Sequence, residues 1–128
     1  MFHAAKSSRI MFALVLVFNF LLISPLIAGS GNGAAAKFAW PMIQSGALLV
    51  DVRSAEEFAE GHLEGAINIE WSNTDALMAA IGEDKQRPVV FYCRSGNRSG
   101  KAMVELGIRG YNNIYNATGL EALKATRP

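Results

Sequence analysis

Val89-Val-Phe-Tyr92 is the most strand-like run in the chain, and it leads directly into Cys93 and a polar stretch, Arg94-Ser-Gly-Asn-Arg98. A strand with no polar face needs cover on both sides, which is the condition of a parallel sheet held between helices. Ala47-Leu-Leu-Val-Asp-Val52 has the same continuous apolar character. Helical segments alternate with these runs. Ser54-Ala-Glu-Glu57 matches a capping box that opens a helix to Glu60, with Gly61 as its stop. Ala66-Ile-Asn-Ile69 reads as a short strand, Asp75 to Ile81 as a helix closed by Gly82, and Ser99 to Leu106 as a helix ended by Gly107 and Gly110. Asn113-Ile-Tyr-Asn116 is the last strand and Leu120 to Ala125 a closing helix. Upstream, Ser30-Gly-Asn-Gly33 reads as a flexible linker, followed by a short helix within Ala34 to Ser45, entered around Trp40-Pro41 and ended by Gly46. The alternation predicts an α/β domain with a parallel sheet of four to five strands, right-handed crossovers and flanking helices.

The first thirty residues have a different character. Met1 to Arg9 is basic and free of acids, and Ile10 to Ile23 is apolar with only Asn19 interrupting. These are the n-region and h-region of an export signal. Pro25 breaks the run, and cleavage after Ser30 would put Ala28 and Ser30 at the small-residue positions, with Ala34-Ala35-Ala36 a second candidate. Ile10 to Ala28 spans nineteen residues, close to a bilayer width, so an uncleaved anchor is the alternative. Either way residues 1–30 form a signal or anchor and 31–128 an exported, periplasmic domain, its basic start staying inside.

Formal net charge is +1; without Lys6 and Arg9 ten basic residues face eleven acidic ones, leaving −1. A near-neutral body gives no electrostatic basis for nucleic-acid binding. The single cysteine excludes an intramolecular disulfide and any CxxC redox or zinc site. A lone cysteine at a strand end is ordinarily an inert small hydrophobe. Here, however, it enters a polar loop with two arginines that leads to a helix N-terminus, where converging amides and the helix dipole stabilise an anion. In such a setting the thiol ionises easily and becomes a nucleophile. Gly96 lets the backbone curl through positive φ, while Arg94 and Arg98 supply positive charge for an anionic substrate. Arg98 has a second reading, in which it only pins the loop to a neighbouring carboxylate.

Five ordered motifs resemble the rhodanese family: Leu49-Val-Asp-Val-Arg53, Glu56-Glu-Phe58, Gly61-His-Leu-Glu-Gly-Ala-Ile-Asn68, Tyr92-Cys-Arg-Ser-Gly-Asn-Arg-Ser99 and Asn116-Ala-Thr-Gly-Leu120. The exported single-domain form looks most like the periplasmic thiosulfate sulfurtransferases of the phage-shock type. That resemblance implies a Cys93 persulfide as sulfur carrier, held by the amides of Arg94, Ser95, Gly96, Asn97, Arg98 and Ser99. It implies thiosulfate as donor, cyanide or a small thiol as acceptor, a monomer, and no metal or organic cofactor. Asp51, Arg53, Glu57 and His62 also fall in family motifs. Asp51 and Arg53, at a strand end, are expected to anchor loops around the site, and His62 to form a hydrogen-bonded turn beside it. Trp40 and Trp71 read as packing residues, with Trp71 in a segment that could border the pocket. The chain departs from longer relatives in its compact Trp71 to Arg87 connection and lacks a clear edge strand before Trp40.

Three other functions compete. A cysteine-dependent phosphatase or arsenate reductase resembles C-x5-R, whereas Cys93 and Arg98 give C-x4-R, a loop one residue shorter that narrows the cradle toward a single sulfur atom. A non-catalytic rhodanese-like binding module would not need the cysteine. A thiol redox sensor would need a resolving cysteine, which the chain lacks.

Overall fold

A computed structural model describes residues 30–128. The signal or anchor expected over residues 1–30 lies outside them except for Ser30. The chain runs α1 (Ser30–Gln44), β1 (Leu48–Asp51), α2 (Ala55–Glu60), β2 (Ile67–Asn68), α3 (Thr74–Ile81), β3 (Val89–Cys93), α4 (Asn97–Ile108), β4 (Ile114–Gly119) and α5 (Leu120–Ala125). The four strands form one sheet in the order β2-β1-β3-β4, every pairing parallel. This is the expected α/β architecture with the smaller of the two strand counts.

Alternation along the central strand sorts the core into two layers. Val90 and Tyr92 face α1 and α5, packing with Ala36, Ala39, Trp40, Leu120 and Leu123. Val89, Phe91 and Cys93 face α3 and α4, packing with Leu77, Ile81, Ala102 and Leu106. Every residue of β3 is buried, as the unbroken apolar run demands. The sulfur of Cys93 therefore points to the side on which α4 begins.

Three expectations need correcting. The stretch Ser30 to Gly33 is no linker: it opens α1, and Pro41 lies inside that helix rather than at its entry. Three alanines favour the helix, and tertiary bonds hold its start, with Thr118 Oγ1 donating to the Asn32 carbonyl (3.1 Å) and the Tyr115 hydroxyl to that of Ala35 (3.0 Å). Pro41 has no N–H for the Lys37 carbonyl, and the helix stops at Gln44, within a turn of it. Second, α4 begins at Asn97 and runs through Gly107 to Ile108; the stop is Gly110, at φ +91°, with the Tyr111 amide bonded to the Leu106 carbonyl. Third, β4 continues past Asn116 to Gly119 through a register irregularity opposite Phe91 to Cys93. That irregularity brings the Asn116 to Gly119 segment against the loop after Cys93.

Candidate active site

Cys93 ends β3, and the chain turns through Arg94, Ser95 and Gly96 into α4. Gly96 is the N-cap, left-handed at φ +97° and ψ −6°, with no capping side chain. A β-carbon there would crowd Thr118 at 3.2–3.3 Å, so both the torsion and the space call for glycine. The turn aims its amides back at the strand end. The Gly96 N–H donates to Cys93 Sγ at 3.0 Å, and the Ser95 and Ser99 amides also face the sulfur. Ser99 Oγ lies 3.4 Å from it.

Cys93 is 1% exposed, and burial alone would push its thiol up. The Ser99 hydroxyl and the amides of Ser99, Gly96 and Ser95 outweigh that cost and hold the thiol below its ordinary value. The structure thus places the Cys93 sulfur beside the loop amides that the sequence pointed to. The start of α4 adds partial positive charge.

Of the two loop arginines, Arg98 is committed. Its Nη1 and Nη2 donate to Glu57 Oε1 and Oε2 at 2.6 and 3.0 Å. Glu57 also accepts from the Ser54 amide while Ser54 Oγ accepts from the Glu57 amide, so the capping box is present and doubles as the seat for Arg98. Arg94 is exposed and lines a cleft of about 230 Å³ with Arg53, Glu57, Glu60, Gly61, Leu120 and others.

Asp51 and Arg53 form a buried pair behind the cradle. Arg53 Nη2 donates to Asp51 Oδ2 (2.6 Å) and to the Gly61 carbonyl (2.7 Å), locking the end of β1 to the end of α2. Tyr92, over which Arg53 lies, accepts the Leu63 amide at its hydroxyl, and burial pushes that phenol up. His62 contacts α2 instead of the loop: its ring stacks on Phe58 and its Nδ1 meets the Phe58 carbonyl at 2.8 Å. Trp71 borders a different space, an open groove of about 750 Å³ shared with Asn97, Gly100 and Met103, and Lys101 lies over its ring.

Asn116 to Leu120 falls in a family motif to which the sequence alone assigns no part in the site. In the structure Asn116 Oδ1 accepts from the Ser99 hydroxyl (2.7 Å) and the Thr118 amide (3.0 Å), and its Nδ2 donates to the Gly96 carbonyl (2.9 Å). A β-carbon on Gly119 would overlap the Arg94 carbonyl, so the end of β4 lies directly against the loop. The available signal was an asparagine and a Thr-Gly pair interrupting a strand.

A cysteine sulfur facing backbone amides at the carboxyl end of a central parallel strand defines a cysteine-loop domain of the α/β class. The chain belongs to the rhodanese-like domain family, whose model matches residues 35–125. Among curated proteins it is 38% identical over 72 residues to the thiosulfate sulfurtransferase PspE of Escherichia coli, covering 56% of this chain and 69% of that one. It is 34% identical over 86 residues to the thiosulfate sulfurtransferase GlpE of Pseudomonas putida, covering 66% and 76%. Among solved structures, a rhodanese with anions from E. coli matches with TM-score 0.54 and 36% identity over 59% of this chain and 88% of that one. The human single-domain sulfurtransferase TSTD1 matches with TM-score 0.59 and 29% identity over 71% and 92%.

Proposed function

We propose that this domain is a thiosulfate sulfurtransferase working through a Cys93 persulfide. The observation that carries the reading is the buried Cys93 sulfur facing the amides of Ser95, Gly96 and Ser99 in a C-x4-R loop. In the first half-reaction the Cys93 thiolate attacks the outer sulfur of thiosulfate. A new sulfur–sulfur bond forms, the bond within thiosulfate breaks, and sulfite leaves with that electron pair. The cradle then holds Cys93–S–S⁻, whose terminal charge the amides stabilise as they do the thiolate. In the second half an acceptor, cyanide or a small thiolate, attacks the outer sulfur and returns the Cys93 thiolate. Because Arg98 is paired with Glu57, exposed Arg94 is the loop cation suited to drawing in the sulfonate end of thiosulfate.

Mass spectrometry after thiosulfate treatment should find one added sulfur on Cys93, released by cyanide and absent from Cys93→Ala. A protein unmodified by thiosulfate would sink the proposal. Phosphatase activity without sulfur transfer would favour the oxyanion reading instead.

We further propose that the domain works as a monomer outside the cytoplasmic membrane, after export directed by the basic and apolar N-terminal segment. No helix among the described residues is long and apolar enough to cross a membrane, and where the N-terminal segment is retained, residues 10–28 are the proposed anchor. Fractionation tests this: a mature-length periplasmic product indicates cleavage, a full-length product in membranes an anchor, and a cytoplasmic product refutes export.

A further inference from the structure

We propose that Asn116 is a positioning residue for sulfur transfer, holding the Ser99 hydroxyl beside the Cys93 sulfur and accepting the serine proton while Cys93 is a thiol. The inference rests on the sulfurtransferase reading and extends it to a residue outside the cysteine loop.

The orientation of the Asn116 amide follows from its partners. The Gly96 carbonyl can only accept and the Thr118 N–H can only donate, so Nδ2 must face the first and Oδ1 the second. Ser99 Oγ lies 2.7 Å from Oδ1, an atom that can only accept, so the serine proton points to Asn116 in this arrangement. Ser99 Oγ therefore turns its lone pairs to Cys93 Sγ, 3.4 Å away, and the thiol is the donor between them. When the thiol ionises that donor disappears. The Ser99 hydroxyl then rotates from Oδ1 to the sulfur, while Oδ1 keeps the Thr118 amide and is not stranded.

Asn116 matters because Ser99, fully buried in the first turns of α4, has another choice. A helical serine without a side-chain partner bonds backward to a carbonyl three or four residues earlier, here Gly96 or Ser95. Held by Asn116, the hydroxyl stays in the rotamer that faces the sulfur. The charged groups around the cradle are Arg94 on the loop, Arg98 with Glu57 from α2, and the Asp51–Arg53 pair at the end of β1. Asn116 hydrogen-bonds Ser99, the Thr118 amide and the Gly96 carbonyl, and its route to the sulfur runs through Ser99 and the Gly96 peptide.

The test is the pH profile of Cys93 alkylation by iodoacetamide in the full chain, which reads the thiolate whether or not sulfur transfer occurs. The Ser99–Asn116 bond is made while Cys93 is a thiol and given up when it ionises, so Asn116→Ala should lower the midpoint by about one pH unit, and in a Ser99→Ala background the same change should do much less. A raised or unshifted midpoint, or an equal shift in both backgrounds, would overturn the inference. Should Asn116→Ala not fold, the unaltered protein answers by NMR. The Asn116 side-chain amide signal should move with the Cys93 midpoint, and it should stop doing so in Ser99→Ala; a signal indifferent to Cys93 ionisation would refute the relay. Failure of the unaltered protein to form a persulfide would instead count against the sulfurtransferase reading.

Discussion

The Arg98 guanidinium holds both carboxylate oxygens of Glu57, at 2.6 and 3.0 Å, tying the first turn of α4 to the first turn of α2. A cation in the first turn opposes the helix dipole, and Glu57 offsets it. The Arg98 contact, helped by the Ser54 amide, lowers the Glu57 carboxyl from 4.5 to about 2. A lowered native value means the pair's stabilisation is complete above pH 4.5 and disappears as pH falls toward 2. Side-chain exposures of 29% and 26% let water screen the pair, so its worth is about 1 kcal/mol. Unfolding free energies of the native protein and Glu57→Gln should differ by that much at pH 7 and converge as pH falls toward 2. A gap that ignores pH would show that the charge is irrelevant.

The same pair decides what removal of Arg98 does. If the guanidinium serves mainly as a pin, Arg98→Ala and Glu57→Gln should lower stability by similar amounts, about 1 kcal/mol each, and leave the Michaelis constant for thiosulfate within a few-fold. Arg98→Lys should recover less than half of the loss, because an ammonium cannot repeat the two-point contact. A large rise in the Michaelis constant for Arg98→Ala, with none for Glu57→Gln, would assign Arg98 to the substrate instead. Arg94→Ala, exposed and outside the pair, is where the rise in Michaelis constant is expected.

Asp51 and Arg53 have more at stake. Asp51 is fully buried and Arg53 is 7% exposed, and the Asp51 hydrogen bond, against the pull of burial, raises the arginine's already high pKa. Asp51→Asn leaves a buried cation without its counter-ion, which costs about 3–5 kcal/mol. Chemical denaturation should show that loss, against less than about 1 kcal/mol for an exposed control such as Asp75→Asn. A mild effect at Asp51 would mean that water reaches Arg53.

The fold was legible wherever one local rule acted alone. The apolar residues 48–50 and the run Val89–Cys93 read as doubly covered parallel strands, and the capping box of Ser54 and Glu57 opened its helix where the spacing placed it. The expectation erred where distant contacts override propensity, as in the start of α1, whose two glycines are held helical by docking onto β4. Cys93 and its loop were legible because a twice-cationic stretch has no place in a core. Asn116 was not, since its role depends on the β4 irregularity that sets it beside Gly96 and Ser99, and no spacing rule reports that register.

Gly96 is the position where fold and chemistry meet most directly. Its φ of +97° disfavours any side chain, and an added methyl would approach the Cα, Cβ and Cγ2 of Thr118 to 3.2–3.3 Å. Thr118 is itself at positive φ, +70°, with its amide held by Asn116 and its hydroxyl near the Asn32 carbonyl, so it has little freedom to yield. Gly96→Ala should therefore cost about 1 kcal/mol for the torsion alone, and more for the contact. If the loop relaxes, the Gly96 N–H leaves the sulfur, where it is a short donor at 3.0 Å, and thiolate stability falls with it. Persulfide formation at pH 7 should drop at least about tenfold, the equivalent of one pH unit in the thiol, and raising the pH should restore part of the rate. Pairing Gly96→Ala with Thr118→Gly separates the two causes. Relief of the contact should recover stability and some rate, whereas full retention of rate in Gly96→Ala alone would mean that the Gly96 amide is not needed to hold the charge on sulfur.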